Sequence, residues 1–190
     1  MVQAFENSRN KIHPHKFLLY VAIVSISMMF AAFTSAYIVK QAQGNWLEYS
    51  FPIHFYFSTA TIVISSFVLH RSFTAYNAGN EQRYKQFLLL GLGLGICFVV
   101  LQYFGWLALY EKGVDLKGNV SGSFFYLITF IHVLHVLGGI AALLLAVYHA
   151  FSLKFKVTAS RRVKLDLVTT YWHFVDILWV YLFIFLLISK

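Results

Sequence analysis

Five long apolar runs determine what this chain can fold into. They have approximate bounds 17–39, 53–71, 86–110, 123–150 and 166–189. A helix of about 20 apolar residues crosses the roughly 30 Å of hydrocarbon in a bilayer, so each run is long enough to span it. Only 12% of the residues are charged, about half of the roughly 25% that a soluble domain carries. The sequence therefore predicts an all-α integral membrane bundle of five transmembrane helices.

The stretches between the runs are short and polar, and none is long enough to form a separate domain. We therefore expect residues 1–190 to form a single transmembrane domain. The N-terminal stretch has no apolar core followed by a small-residue cleavage site, so we expect no removable signal peptide. The single cysteine, Cys97, excludes an intramolecular disulfide and any multi-cysteine zinc or iron–sulfur site.

Basic residues are distributed unequally between the two predicted ends of the bundle. Eleven of the 15 Lys and Arg residues fall in the N-terminal tail, the second connection and the fourth connection, which lie on one side. The positive-inside rule places this side in the cytoplasm, so we expect a cytoplasmic N-terminus and an external C-terminus. The net charge of +8 is then mostly an orientation signal that can also attract anionic lipid headgroups. This distribution does not favour nucleic acid as a partner.

Ionisable residues inside the apolar runs are the candidate functional residues. Asp176 is the only carboxylate within a span, and it shares a helix face with His173. His132 and His135 are likewise three residues apart in the fourth run. With about 1.5 Å of rise per residue and about 30 Å of hydrocarbon, Asp176 lies level with His132, and His173 lies close to His135. Because a short connection makes these helices antiparallel neighbours, we predict one buried polar cluster of the four side chains.

Four interpretations of this cluster are open. The first is a hydrogen-bonded clamp between two helices, in which each buried polar group satisfies another. The second is a proton path, although the other four spans contribute no acid to continue it. The third is a bis-histidine haem site, and the fourth is a metal site with imidazole and carboxylate ligands. We favour the clamp, because ligand-like sets at helical spacing often occur by chance.

Small and hydroxyl side chains inside the runs indicate close helix packing. The "GLGLG" stretch at 91–95 lies within an apolar run, where glycine lets helix backbones approach each other, and not in a phosphate-binding loop. The Ser and Thr residues of the first two runs are expected to bond to their own helix or to a neighbouring one.

Motifs along the chain carry a resemblance to a known family. The last run reads "YWHFVDILWVYLF", and the fourth reads "FFYLITFIHVLHVLGG". The second begins with "PIHFYFSTATIVISS", and the third contains "LGICFVVLQ". Taken in order, these motifs resemble the transmembrane helices of subunit III of the haem–copper oxidases, which include cytochrome c oxidase. The likeness covers nearly the whole chain, and five spans are similar to the short bacterial form.

The resemblance implies a subunit of a terminal oxidase that reduces oxygen to water in aerobic respiration and pumps protons. Such a subunit is part of an enzyme complex but has no catalytic residue, haem or copper of its own. It packs on catalytic subunit I beside subunit II, binds structural phospholipids and supports proton uptake. The resemblance also implies a multi-pass protein of the bacterial inner membrane, which could join a respiratory supercomplex.

Other functions are also compatible with the sequence. We expect a cytochrome c oxidase, but subunit III of a quinol oxidase is the nearest alternative, since this subunit does not touch the electron donor. A small five-helix transporter and a b-type cytochrome are alternatives from other classes. Transport needs ionisable residues on several helices, and only one span here has an acid.

Two positions depart from the family pattern. Ile26 in "SISMMF" and Gly105 stand where many members have a buried glutamate. Any role in proton uptake that depends on those acids cannot be carried over. In the fourth connection, Lys154 and Lys156 match the place of the family's lipid-headgroup cations. The predicted headgroup site consists of these two lysines with the basic pair that follows them, Arg161 and Arg162.

Overall fold

The part of the chain that the structure describes forms a bundle of five α-helices. A computed structural model describes residues 14–44, 46–47, 49–116 and 118–189. The helices are α1 (Pro14–Gln41), α2 (Ile53–Asn77), α3 (Glu81–Glu111), α4 (Val120–Ser152) and α5 (Ala159–Ile188). All five are long and apolar enough to cross a membrane, and the described residues contain no strand. The prediction of an all-α bundle with five transmembrane helices is confirmed.

The helices extend beyond the apolar runs into polar sequence. α3 begins five residues before its predicted start, and α5 begins seven residues before. Both starts are capped: the Asn80 side chain accepts a hydrogen bond from the Arg83 amide at 3.1 Å, and Thr158 Oγ1 accepts one from the Arg161 amide at 3.4 Å. The added turns lie where headgroups and water can solvate polar side chains, so charged residues do not end the helix there.

Contacts at the helix termini show which ends lie together. Lys16 at the start of α1 forms an ion pair with Asp166 near the start of α5 at 2.5 Å. At the opposite end, Tyr37 of α1 donates a hydrogen bond to the carbonyl of Ser189, just after α5, at 3.1 Å. We call the end at which α1, α3 and α5 begin the basic end. It holds nine of the eleven Lys and Arg residues that the structure describes: Lys16, Arg71, Arg83, Lys85, Lys154, Lys156, Arg161, Arg162 and Lys164.

α2 and α3 form an antiparallel hairpin whose interface is built from small and hydroxyl residues. Ser65 of α2 donates to the carbonyl of Gly91 at 3.0 Å. A Cβ atom on Gly91 would lie 2.6 Å from Leu69, so only glycine allows this approach. Further along, the Gln102 amide donates to Ser58 Oγ at 2.9 Å. The predicted role in close packing holds for Gly91 and Gly95 of the "GLGLG" stretch, whereas a Cβ on Gly93 would have nothing within 4 Å.

α5 lies at the centre of the bundle and contacts α1, α2 and α4. The indole of Trp172 fills the space left by two glycines, since a Cβ on Gly95 of α3 or Gly139 of α4 would lie 2.5 or 3.0 Å from it. The hydroxyl of Tyr171 donates to the carbonyl of His135 on α4 at 3.0 Å. The prediction that the fourth and fifth helices are antiparallel neighbours is therefore confirmed.

α1 is the most peripheral helix and, in the part of the chain described, contacts only α4 and α5. Phe30 is buried in that contact, and Thr34 shares a hydrogen bond of 3.1 Å with the hydroxyl of Tyr181 on α5. In the connection to α2, burial raises the pKa of the Tyr49 phenol above its ordinary value. α1 and α2 both contact α5, and no contact between α1 and α2 is described.

Candidate functional site

The polar and aromatic residues of the "YWHFVDILW" motif leave α5 in different directions. Trp172 packs against the glycines of α3 and α4, and the ring of Trp179 lies beside His132 of α4. His173 and Asp176 instead line a cavity together with residues of α2. Adjacent residues of a helix point about 100° apart, whereas residues three apart share a face. The motif therefore joins α5 to two sides of the bundle at once.

The side of α5 that faces α2 carries the acid and the first histidine. The Nδ1 atom of His173 and the Oγ atom of Ser66 form a hydrogen bond of 2.5 Å. The ring of His70, one turn further along α2, lies 6.1 Å from the ring of His173. Asp176 is only 3% exposed, and neither carboxyl oxygen has a hydrogen-bond partner among the described residues. This acid is therefore buried beside polar groups of α2 without a strong bond to any of them.

His132 lies in an aromatic cage on the other side of α5. Its ring is fully buried, with the ring centroids of Trp179, Phe98 and Phe30 at 5.1, 6.1 and 6.2 Å. Neither ring nitrogen has a hydrogen-bond partner in the described part of the chain. A buried imidazole without hydrogen bonds is costly, so the cage stabilises the histidine through ring contacts alone.

His135 is bound to its own helix. Its Nδ1 atom lies 2.8 Å from the carbonyl of Ile131, one turn earlier, and its ring contacts Phe30 at 5.8 Å between centroids. The only hydrogen bond described between α5 and this residue goes to its backbone carbonyl, from Tyr171. The imidazole of His135 is thus directed towards α1 and not towards His173.

The single cluster of four side chains that the depth estimate predicts is not formed. No described hydrogen bond or ring contact joins the pair His132 and His135 to the pair His173 and Asp176. The estimate placed the residues at matching depths, but depth does not determine the rotation of each helix about its axis. The large side chain of Trp179 occupies the place beside His132 that the prediction assigned to the acid.

The separation of the two pairs bears on the interpretations of the cluster. α5 is clamped to its neighbours, but through other groups: His173 with Ser66, and the Trp179 indole N–H with Thr59 Oγ1 at 2.9 Å. The geometry does not support the bis-histidine interpretation, because no described contact brings His132 or His135 to face His173. Among the described residues, no three His, Cys, Asp or Glu side chains are arranged to hold a metal ion, so the geometry does not support the metal-site interpretation.

A second candidate site is a cavity at the basic end. It has a volume of about 510 Å³ and lies between the end of α4, the start of α5 and the α2–α3 hairpin. Arg161, Lys164 and His149 line it together with the phenol rings of Tyr76 and Tyr84. The remaining wall consists of aliphatic side chains of α4 and α5, with Leu153 and Phe155 from the connection between them. This combination of cations beside an apolar wall suits a molecule with an anionic head and hydrocarbon chains.

The four predicted headgroup residues have different positions relative to this cavity. Arg161 lines it and donates through its guanidinium to the carbonyl of Lys154 at 2.8 Å. Lys156 accepts a hydrogen bond at its carbonyl from Tyr76 at 3.1 Å. The side chains of Lys154, Lys156 and Arg162 are exposed at the same end and are not part of the cavity wall. Of the four predicted headgroup residues, only Arg161 therefore lines the cavity.

Sequence reasoning missed several residues of both sites. Lys164 was counted as an orientation charge, although it lies one helical turn after Arg161, and this spacing was a usable signal. Ser66 and His70, four residues apart on α2, carried the same signal. They were missed because nothing in a single sequence shows which helix faces α5.

The comparison with protein families decides the relationship. The family model for cytochrome c oxidase subunit III matches residues 13–189. The chain belongs to this family. The matched range contains all five helices, and therefore both the polar face of α5 and the cavity at the basic end.

Curated members of the family support the assignment. A probable cytochrome c oxidase subunit 3 of Nocardia farcinica is 32% identical over 166 residues, which cover 82% of this chain and 78% of that protein. The cytochrome c oxidase subunit 3 of Corynebacterium diphtheriae is 30% identical over 164 residues, with 83% and 79% covered. That of Thermostichus vulcanus is 29% identical over 177 residues, with 90% and 85% covered. The chain is thus a multi-pass membrane subunit III of a haem–copper oxidase, an oxidoreductase complex with other subunits.

Proposed function

We propose that the chain is a non-redox subunit of a proton-pumping cytochrome c oxidase, which packs on the catalytic subunit and stabilises it. The observation that carries this proposal is the family match across all five helices. The proposed partners are oxidase subunits I and II in a bacterial inner membrane. Cytochrome c is the proposed electron donor of the complex because curated relatives carry that name.

The contacts of the buried polar residues support a structural role. His132 packs against aromatic rings, His135 bonds to its own helix, and His173 bonds to Ser66 of α2. Each histidine within the core of the bundle thus takes part in helix packing. Ile26 and Gly105, at the family's glutamate positions, have no ionisable group, so any support of proton uptake would be exerted through the stability of the catalytic subunit.

The cavity at the basic end supports phospholipid binding. Arg161 and Lys164 supply positive charge for a phosphate group, and the Tyr76 and Tyr84 rings line the same space. Ala142, which lies further from the basic end of α4 than His149, adds a small apolar side chain to the cavity wall. We infer a structural phospholipid with its phosphate at Arg161 and Lys164 and its acyl chains along α4.

Purification of the complex through a tag on this chain tests the proposed function. The expected result is co-purification with haem-containing subunits and oxygen consumption that is driven by reduced cytochrome c. Activity with a quinol, but not with cytochrome c, would replace cytochrome c oxidase with quinol oxidase. A tagged chain that purifies without any haem protein would contradict the proposal, and a Soret band in the isolated chain would favour a b-type cytochrome.

A further inference from the structure

An open groove runs along the outer surface of α5 beside α2. The groove is open because α1 and α2 both contact α5 but do not contact each other in the described part of the chain. The groove has a volume of about 690 Å³. Its walls include Ser66, Phe67 and His70 of α2 and His173, Asp176 and Ile177 of α5.

The polar groups of the groove lie at the middle of the membrane. Asp176 is the eighteenth of the 30 residues of α5, and Ser66 is the fourteenth of the 25 residues of α2. Phospholipid headgroups lie about 15 Å from the middle of a hydrocarbon layer that is about 30 Å thick. A lipid in this groove would therefore present only methylene groups to Ser66, His173 and Asp176.

Methylene groups do not satisfy the polar groups of the groove. His173 is half-buried in the groove wall, and its one described hydrogen bond, between Nδ1 and Ser66 Oγ, leaves Nε2 without a described partner. The carboxyl oxygens of Asp176, in contrast, are enclosed by the bundle and cannot be reached from the groove. Ionisable side chains inside a membrane are costly unless they face protein or water. Hydrocarbon offers no hydrogen-bond donor or acceptor. The half-exposed imidazole of His173 is therefore satisfied best by a protein that places a polar side chain at the same depth.

The outward face of α4 differs from the groove. Between residues 127 and 145 its exposed large side chains are all hydrocarbon: Leu127, Phe130, Leu134, Leu137, Leu144 and Leu145. Such a face suits lipid tails, which need no hydrogen bonds. The groove has polar groups at mid-membrane depth, whereas the exposed side chains of this stretch of α4 have none. This difference distinguishes a protein-facing surface from a lipid-facing one.

We propose that the α2–α5 groove is the docking surface for a transmembrane helix of another oxidase subunit. That helix presents a hydroxyl or amide side chain at mid-membrane depth against the Nε2 edge of His173. The inference rests on the proposed function only for the nature of the partner, which is another subunit of the same complex.

Photocrosslinking in the intact complex tests the proposal. Phe67, which is 71% exposed in the groove, is changed to p-benzoylphenylalanine, and Phe130, which is 51% exposed on α4, is changed in the same way as a matched control. The expected result is a covalent adduct between residue 67 and a different subunit, in several-fold higher yield than from residue 130. Adducts of residue 67 with phospholipid alone, or with a second copy of this chain, would overturn the proposal.

A steric test uses the exposed residues of the same two faces. Ile177→Trp narrows the groove, and Leu134→Trp adds the same bulk on α4; these residues are 70% and 50% exposed. We expect Ile177→Trp to be lost from the purified complex while retaining the helix content of the wild type, and Leu134→Trp to remain bound. Retention of both variants would count against the groove as an interface.

The outcomes separate this inference from the proposed function. If the unmodified tagged chain isolates no haem-containing complex, the proposed function fails whatever residue 67 contacts. If the chain isolates the oxidase but residue 67 reacts only with lipid, the groove inference alone fails.

Discussion

At the scale of single residues, the packing of the bundle depends most on one indole. Trp172 of α5 is fully buried and occupies the space that Gly95 and Gly139 leave on two neighbouring helices. A buried tryptophan has few conformations and many contacts, so its ring cannot move to make room for a larger side chain at either glycine position. The three residues therefore determine how closely α3, α4 and α5 approach.

Gly95→Val should destabilise the subunit by about 1–3 kcal/mol, because overpacking of a filled core has this cost. The new Cβ would lie 2.5 Å from the Trp172 ring. Gly93→Val, two residues earlier, is the matched control because nothing lies within 4 Å of a Cβ there. The midpoint of thermal unfolding in the purified complex is the measurement. Equal midpoints for the two variants would show that the indole can move.

His132→Phe should preserve or raise stability. The imidazole is fully buried and neither nitrogen is bonded to a described residue, and leaving a buried polar group unpaired costs about 1–3 kcal/mol. Phenylalanine keeps the ring contacts with Trp179 and Phe98 without that cost. The same thermal scan measures the effect, with His132→Ala as the cavity-forming control that should unfold at a lower temperature. A large loss of stability in His132→Phe would point to a polar partner of the imidazole.

Of the four polar residues predicted to be buried, His132 and Asp176 are buried and His135 and His173 are half-buried, and the sequence did not show what they contact. The cost of an acid inside a membrane indicates that Asp176 faces protein, and the structure places it in the interior. Rise per residue gives the depth of a side chain, but its direction depends on helix rotation, which is determined by the packing of large residues such as Trp179. The bond between His173 and Ser66 is for this reason not readable from one sequence.

At the scale of helices, the apolar runs predicted the number, order and centres of the elements. They predicted the starts of α3 and α5 less well, because capped polar turns continue a helix through the headgroup region. The short connection between the fourth and fifth runs predicted that these two helices are neighbours, and they are. α2 with α3 and α3 with α4 are also neighbours both in sequence and in space, whereas α1 packs on α4 and α5 and not on α2. The connection from 42 to 52 is long enough to allow this.

The double variant Arg161→Gln, Lys164→Gln should lose bound phospholipid from the cavity at the basic end. Both side chains line the cavity, and each basic residue near an anionic headgroup contributes about 1 kcal/mol to its binding. Native mass spectrometry of the delipidated and re-lipidated complex would count the bound lipids. The control is Arg71→Gln, Arg83→Gln, which removes two exposed charges at the same end but outside the cavity wall. Equal lipid loss from both variants would indicate a diffuse charge effect.

At the scale of the whole molecule, the charge distribution predicts the orientation in the membrane. Nine described basic residues lie at one end of the bundle, so that end should face the cytoplasm. Alkaline phosphatase, which is active only outside the cytoplasm, should be inactive when fused after Gly79 and active when fused after Ser189. Green fluorescent protein at the same positions should give the opposite pattern. Phosphatase activity at Gly79 would reverse the assignment.

The peripheral position of α1 has a consequence for biogenesis. Its hydrogen bonds from Thr34 and Tyr37 reach residues 147 and 152 positions later in the chain, whereas α2 and α3 meet across a three-residue turn. At a synthesis rate of about 5–20 residues per second, α1 waits about 7–30 s in the membrane before these hydrogen-bond partners at α5 are made. The middle of the chain can therefore assemble first, and the last helix to leave the ribosome brings the first one into the bundle.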